Sequence, residues 1–62
     1  MREWLIDLRR QKGYTQKDVA DAVGISRNYY SEIEKGKSLR GKVAYDIAKF
    51  LNFKMEKFYE KR

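Results

Sequence analysis

The sequence predicts an all-α domain of four to five short helices. Three observations predict it. Proline is absent, so nothing of that kind interrupts a helix. Leu, Ile, Ala, Lys and Glu, which favour helix, are well supplied. The glycines at 13, 24, 36 and 41 punctuate the chain into helix-sized pieces. With 62 residues, the whole of 1–62 reads as one domain. A domain this small buries only roughly 60% of its unfolded surface. Aromatics, 15% of the chain with five tyrosines, are expected to supply core volume.

The first helix is expected from Arg2 to Lys12. Trp4, Leu5 and Leu8 make one face apolar, and Trp4 is read as core. Arg9, Arg10 and Lys12 fall in the last turn, where cations suit the negative helix end, and Gly13 stops the helix. The second helix opens on Thr15, which with Asp18 has capping-box spacing. Val19, Ala20 and Val23 share its inner face, and Gly24 ends it. Ser26 is a good N-cap for a third helix whose inner face is Tyr30, Ile33 and Glu34 and whose end is Gly36. Only Gly24 and Ile25 separate helix two from that cap, so the two helices should cross steeply. The fourth helix runs from Arg40 or Lys42 to Leu51, with Val43, Ile47 and Leu51 recurring every four residues and Asn52 as breaker. Met55 to Arg62 is expected to add a short fifth helix with Met55, Phe58 and Tyr59 inward.

Composition narrows the function classes. No cysteine and no histidine are present, which removes the commonest general base and the usual zinc ligands. No metal site, cofactor or small-molecule ligand is expected, and an enzyme is not. The net charge of +6, from 15 basic and 9 acidic residues, asks for a polyanionic partner. No apolar run approaches a membrane span, and the Met-Arg-Glu-Trp start has no apolar signal region, so a cytoplasmic chain is expected. Opening on Met, these 62 residues are read as the whole protein.

The stretch from Thr15 to Gly36 carries the most information. It contains Thr15-Gln16, then Val19-Ala20, then Gly24-Ile25-Ser26, and Ile33-Glu34 before Gly36. Ala20 lies where helix two meets helix three, and Gly24 can take φ > 0 in the turn. Upstream Leu8-Arg9 and downstream Ile47-Ala48 with Leu51 extend the register over nearly the whole chain. This pattern resembles the Cro/CI (Xre-type) helix-turn-helix family of phage repressors and bacterial regulators. The resemblance implies a compact lambda-repressor-like domain, with the helix-turn-helix at about 15–35 and the C-terminal helices at about 41–62.

It also implies sequence-specific binding of double-stranded DNA, with the third helix in the major groove. Arg27, Asn28 and Glu32 then face the bases, with Ser31 as a weaker member. Arg can pair with guanine, Asn with adenine, and Glu can accept from cytosine N4. Gln16, at the start of helix two, corresponds to a family glutamine that meets a phosphate. Lys35, Lys37, Arg40 and Lys42 correspond to a loop that grips the backbone, and Lys17, Ser26 and Tyr29 complete the phosphate set. Arg9 and Glu34 match a structural salt bridge. The sequence departs from the common pattern in its short, proline-free loop after Gly36 and in the bulky Tyr29-Tyr30 pair, which leaves Tyr29 assignable to packing or to DNA. A homodimer on a pseudo-palindrome is expected, with Val43, Phe53, Met55 and Phe58 at the interface, acting as a repressor. The competing readings are a solvated polar face on helix three, a protein-interaction module such as an antitoxin or anti-repressor, and a basic amphipathic membrane binder.

Overall fold

The computed structural model describes residues 1–60. It contains α1 (Glu3–Gln11), α2 (Gln16–Val23), α3 (Arg27–Glu34) and α4 (Gly41–Leu51), followed by a short 3₁₀ helix, Met55–Tyr59. No strand occurs among the described residues. Among the described residues no helix is long and apolar enough to cross a membrane.

Local chemistry sets the helix ends around the central turn. The Thr15 hydroxyl accepts from the Asp18 amide at 3.0 Å, and the Asp18 carboxylate accepts from the Thr15 amide at 2.9 Å, closing a capping box on α2. The Thr15 backbone bond, then its side chain, holds the Asp18 carboxyl below its ordinary range. Gly24 ends α2 in the left-handed region at φ 76°. Asn52 ends α4 in the same region at φ 63°, which Asn tolerates better than most residues.

All four helices contribute to one core. Leu5, Val19, Ala20, Tyr30, Ile33, Ala44, Ile47 and Leu51 are fully buried. Trp4 and Leu8, expected to lead the apolar face of α1, are only half-buried, because the innermost positions of that helix are Leu5 and Arg9. Trp4 instead packs edge-on against Phe53 and Phe58, each at 5.2 Å between ring centroids.

The expected fifth α-helix is corrected to the 3₁₀ helix, and the last two residues of that expectation, Lys61 and Arg62, lie outside the described residues. Three residues per turn stack Met55 with Phe58 and turn Tyr59 away. Phe58 is accordingly buried and Tyr59 is 54% exposed, not inward. Phe58 was also expected at a dimer interface. Its burial in its own core commits the ring there, so it is withdrawn from that surface.

Inside this core sits an ion pair. Arg9 Nε donates to Glu34 Oε2 at 2.7 Å, and the two side chains are 10% and 3% exposed. Arg9 also donates to the Tyr14 carbonyl at 2.9 Å, and Gln16 Nε2 donates to Glu34 Oε1 at 2.8 Å. The group therefore joins α1, the loop after it, α2 and the end of α3. Burial opposes the charged form of Glu34, but hydrogen bonds from Arg9 and then Gln16 outweigh it, so its pKa lies below the ordinary value. Its hydrogen bond to Glu34 holds Arg9 above its ordinary value. The Tyr30 hydroxyl is buried against the pair without a hydrogen bond of good geometry. That burial, then the adjacent Glu34 carboxylate, drives the phenol pKa far up and keeps it neutral.

Because the folded pKa of Glu34 is depressed, its contribution is whole well above the ordinary glutamate value of 4.5. It drains away as pH falls through that value and then through the folded one. Glu34→Gln should flatten this acid limb of stability in urea titrations between pH 7 and pH 3. At neutral pH, Arg9→Met, which strands the carboxylate, should cost about 3 kcal/mol.

Candidate nucleic-acid interface

The side chains of α3 divide into two faces. At about 100° per residue, positions 27, 28, 31, 32 and 35 form one strip and positions 29, 30, 33 and 34 the other. Tyr30, Ile33 and Glu34 are buried and Tyr29 is half-buried against the core. Arg27, Asn28, Glu32 and Lys35 are exposed, and Ser31 is intermediate. The Ser26 hydroxyl accepts from the Tyr29 amide at 3.1 Å, so the helix begins immediately before Arg27 and Asn28. The first turn therefore holds the exposed arginine and asparagine where unpaired backbone N–H groups also point outward.

The acid on this strip is neutralised locally. Lys37 Nζ donates to Glu32 Oε1 at 2.9 Å and lies 5.8 Å from the centre of the Tyr29 ring. That hydrogen bond to Glu32 raises the Lys37 pKa. Tyr29 thus packs against the core while a loop cation lies over its ring. The cation that meets Glu32 is thus Lys37, from the loop beyond α3.

Several residues expected to meet phosphates already have partners. Gln16 gives one amide hydrogen to Glu34, which leaves its other donor and its carbonyl for a further contact. Lys17 is paired with Asp21 at 2.7 Å and Lys42 with Asp46 at 3.0 Å, both across one helical turn. These exposed pairs are weak, so a phosphate can compete for either lysine. Among the described residues, Arg27, Lys35 and Arg40 have no acid within ion-pair distance. Gln16, Ser26 and the α3 strip thus all belong to the helix-turn-helix, and the Lys35–Lys42 loop follows directly.

One contributor was missed by sequence reasoning. The last turn of α3 contains no basic residue. Arg2 supplies the missing donors from the other end of the chain. Its backbone N–H reaches the Glu34 carbonyl at 2.7 Å, and its guanidinium Nη1 reaches the carbonyls of Ile33 at 2.6 Å and Lys37 at 2.8 Å. The signal available in the sequence was the absence itself, since helix-end carbonyls need a donor from somewhere. No group of three or more His, Cys, Asp or Glu that could hold a metal occurs among the described residues.

A family model described as Helix-turn-helix matches residues 5–58. Over 36 residues the chain is 53% identical to the uncharacterized HTH-type transcriptional regulator YqaF of Bacillus subtilis strain 168. The matched stretch covers 58% of this chain and 47% of that protein, about half its length.

The turn that presents α3 is testable by substitution. A Cβ at Gly24 would meet nothing within 4 Å, so Gly24→Ala suffers only the left-handed backbone. It should cost roughly 1–2 kcal/mol in chemical denaturation. Ser26→Ala, which loses the cap, should cost about 1 kcal/mol.

Proposed function

We propose that this chain, which belongs to the helix-turn-helix family of Cro/CI (Xre-type) DNA-binding transcription regulators, reads a specific double-stranded site through α3 and represses transcription by occluding a promoter. The observation that carries the reading is the division of α3. One face is buried and tied down by an ion pair, while the other offers Arg27, Asn28, Ser31 and Glu32 at its first two turns.

Each exposed group has a matching base edge. Arg27 can bond guanine O6 and N7, and Asn28 can bond adenine N6 and N7, each such pair giving about 1–3 kcal/mol of discrimination. Glu32 can accept from cytosine N4 through the oxygen that Lys37 leaves free. Gln16, Lys35 and Arg40 are assigned to phosphates flanking the groove. Lys17 and Lys42 join them only by giving up an acidic partner, whereas Lys37 stays with Glu32 and offsets its charge there. Ser26 and Tyr29 contribute through the exposed end of α3. Cytoplasmic residence follows from this role.

One such domain covers half of a pseudo-palindromic operator, so the active species in this proposal is a homodimer. Its surface is the groove between α4 and the 3₁₀ helix, where Tyr45, Phe53 and Met55 lie together. Val43, also expected at the interface, is half-buried on α4 and is not among the side chains that line this groove. Tyr45 is 52% exposed, which also favours a second reading in which the same groove receives a different protein, as in an antitoxin.

Selection of bound sites from a random duplex pool should yield an inverted repeat with half-sites roughly 34–36 Å apart. An asymmetric motif would count against the dimer, and no enrichment would sink the DNA reading. Arg27→Ala should relax preference at one base pair of each half-site. Arg40→Ala should weaken all duplexes alike and lower the slope of log K on log salt by about 0.9. In sedimentation on DNA, Tyr45→Glu should bind as a monomer. If it stays dimeric, the groove is not the interface.

A further inference from the structure

The N-terminal segment reaches the end of the DNA-reading helix and the start of the basic loop at once. Arg2 Nη1 donates both its hydrogens, one to the Ile33 carbonyl in the last turn of α3 and one to the Lys37 carbonyl beyond that helix. The Arg2 amide takes the Glu34 carbonyl. The guanidinium lies 5.4 Å from the centre of the Phe58 ring, so its plane is backed by the buried aromatic of the 3₁₀ helix. After the Lys37 amide has bonded to Glu32, the next backbone hydrogen bond beyond the loop is Ala44 to Arg40, at the start of α4. Between these points the loop is held by the half-buried Leu39 side chain and by Arg2.

We propose that Arg2 is a positioning residue for DNA binding, cross-linking the basic loop to the C-terminal end of α3 so that phosphate-facing cations and base-facing side chains are presented as one rigid body. The proposal rests on the DNA-binding reading above. The physical reason is preorganisation: a loop already fixed at its bound position loses less conformational freedom when it meets the backbone. Arg suits the task because its charge persists at any working pH and one terminal nitrogen serves two carbonyls while the guanidinium carbon lies over a ring. Arg2 needs no contact with DNA in this role. It acts through the Lys37 carbonyl on the path of the chain that leads to Arg40.

The test compares wild type, Arg2→Ala, Arg2→Lys and Ile47→Val. Ile47 lies in the core of α4 and serves as a control for a general loss of stability. Backbone ¹⁵N order parameters are measured without DNA, and binding to the selected duplex is measured across a salt series. In Arg2→Ala, the amides of residues 36–40 should fall from about 0.85 to below about 0.6, while those of α3 hold. In Ile47→Val they should not move. Affinity of Arg2→Ala should drop about tenfold on every duplex alike, with the selected motif unchanged. Unchanged loop order in Arg2→Ala would overturn the proposal, whatever the affinity does. So would loosening of the loop in both Arg2→Ala and Arg2→Lys with affinity fully restored by Lys, because charge alone would then account for the binding. A wild type that binds no duplex refutes the DNA reading itself, and the order parameters still decide whether Arg2 holds the loop.

Discussion

The buried contact between Arg9 and Glu34 is the constraint on which the rest of this small protein depends. A chain of 62 residues has little apolar area to spend, and this one places two charges inside what it has. An uncompensated buried charge is costly, so both partners must stay in register. Arg9 reaches the Tyr14 carbonyl as well as Glu34, and Gln16 reaches Glu34. The orientation of α3 is thereby fixed by α1 and by the first residue of α2. Apolar packing alone would tolerate rotation of a short helix more readily than this directional network does.

That rigidity separates two kinds of residue on one eight-residue helix. Tyr30, Ile33 and Glu34 hold it, and Arg27, Asn28 and Glu32 are left to the solvent with Ser31 half-buried among them. Tyr29 stands between the groups, half-buried and backed by Lys37. The bulk of Tyr29 and Tyr30, unusual beside the common family pattern, fits this division. The first closes the edge of the core and the second fills its centre.

The surface is less uniformly basic than the net charge suggests. Lys17, Lys37 and Lys42 each face a carboxylate in the free protein. Such exposed pairs contribute little to folding and are readily exchanged. They matter for recognition because they keep Asp21, Glu32 and Asp46 from repelling a polyanion. In the proposed complex Glu32 keeps Lys37, so the acid on that face does not repel the phosphates that line the groove.

The sequence by itself determined the helix boundaries around the central turn and the family. Those depend on contacts within three or four residues, such as Thr15 with Asp18 and Ser26 with Tyr29, or on a backbone angle that Gly24 alone satisfies cheaply. The inner face of α3 was equally legible, since helical periodicity separates 30, 33 and 34 from 27, 28, 31 and 32. Only the tertiary structure decided the partners of long side chains. Arg2 is 31 residues from the Ile33 carbonyl it bonds, and no local pattern encodes that meeting. The pairing of Glu32 with Lys37 was likewise set by the path of the chain after α3. At the C-terminus, the segment after Asn52 read as an α-helix because spacing of three and four cannot be told apart over so few residues. Packing of Phe58 against Trp4 selected the tighter 3₁₀ turn, and with it turned Tyr59 outward and took Phe58 out of the surface available to a second copy.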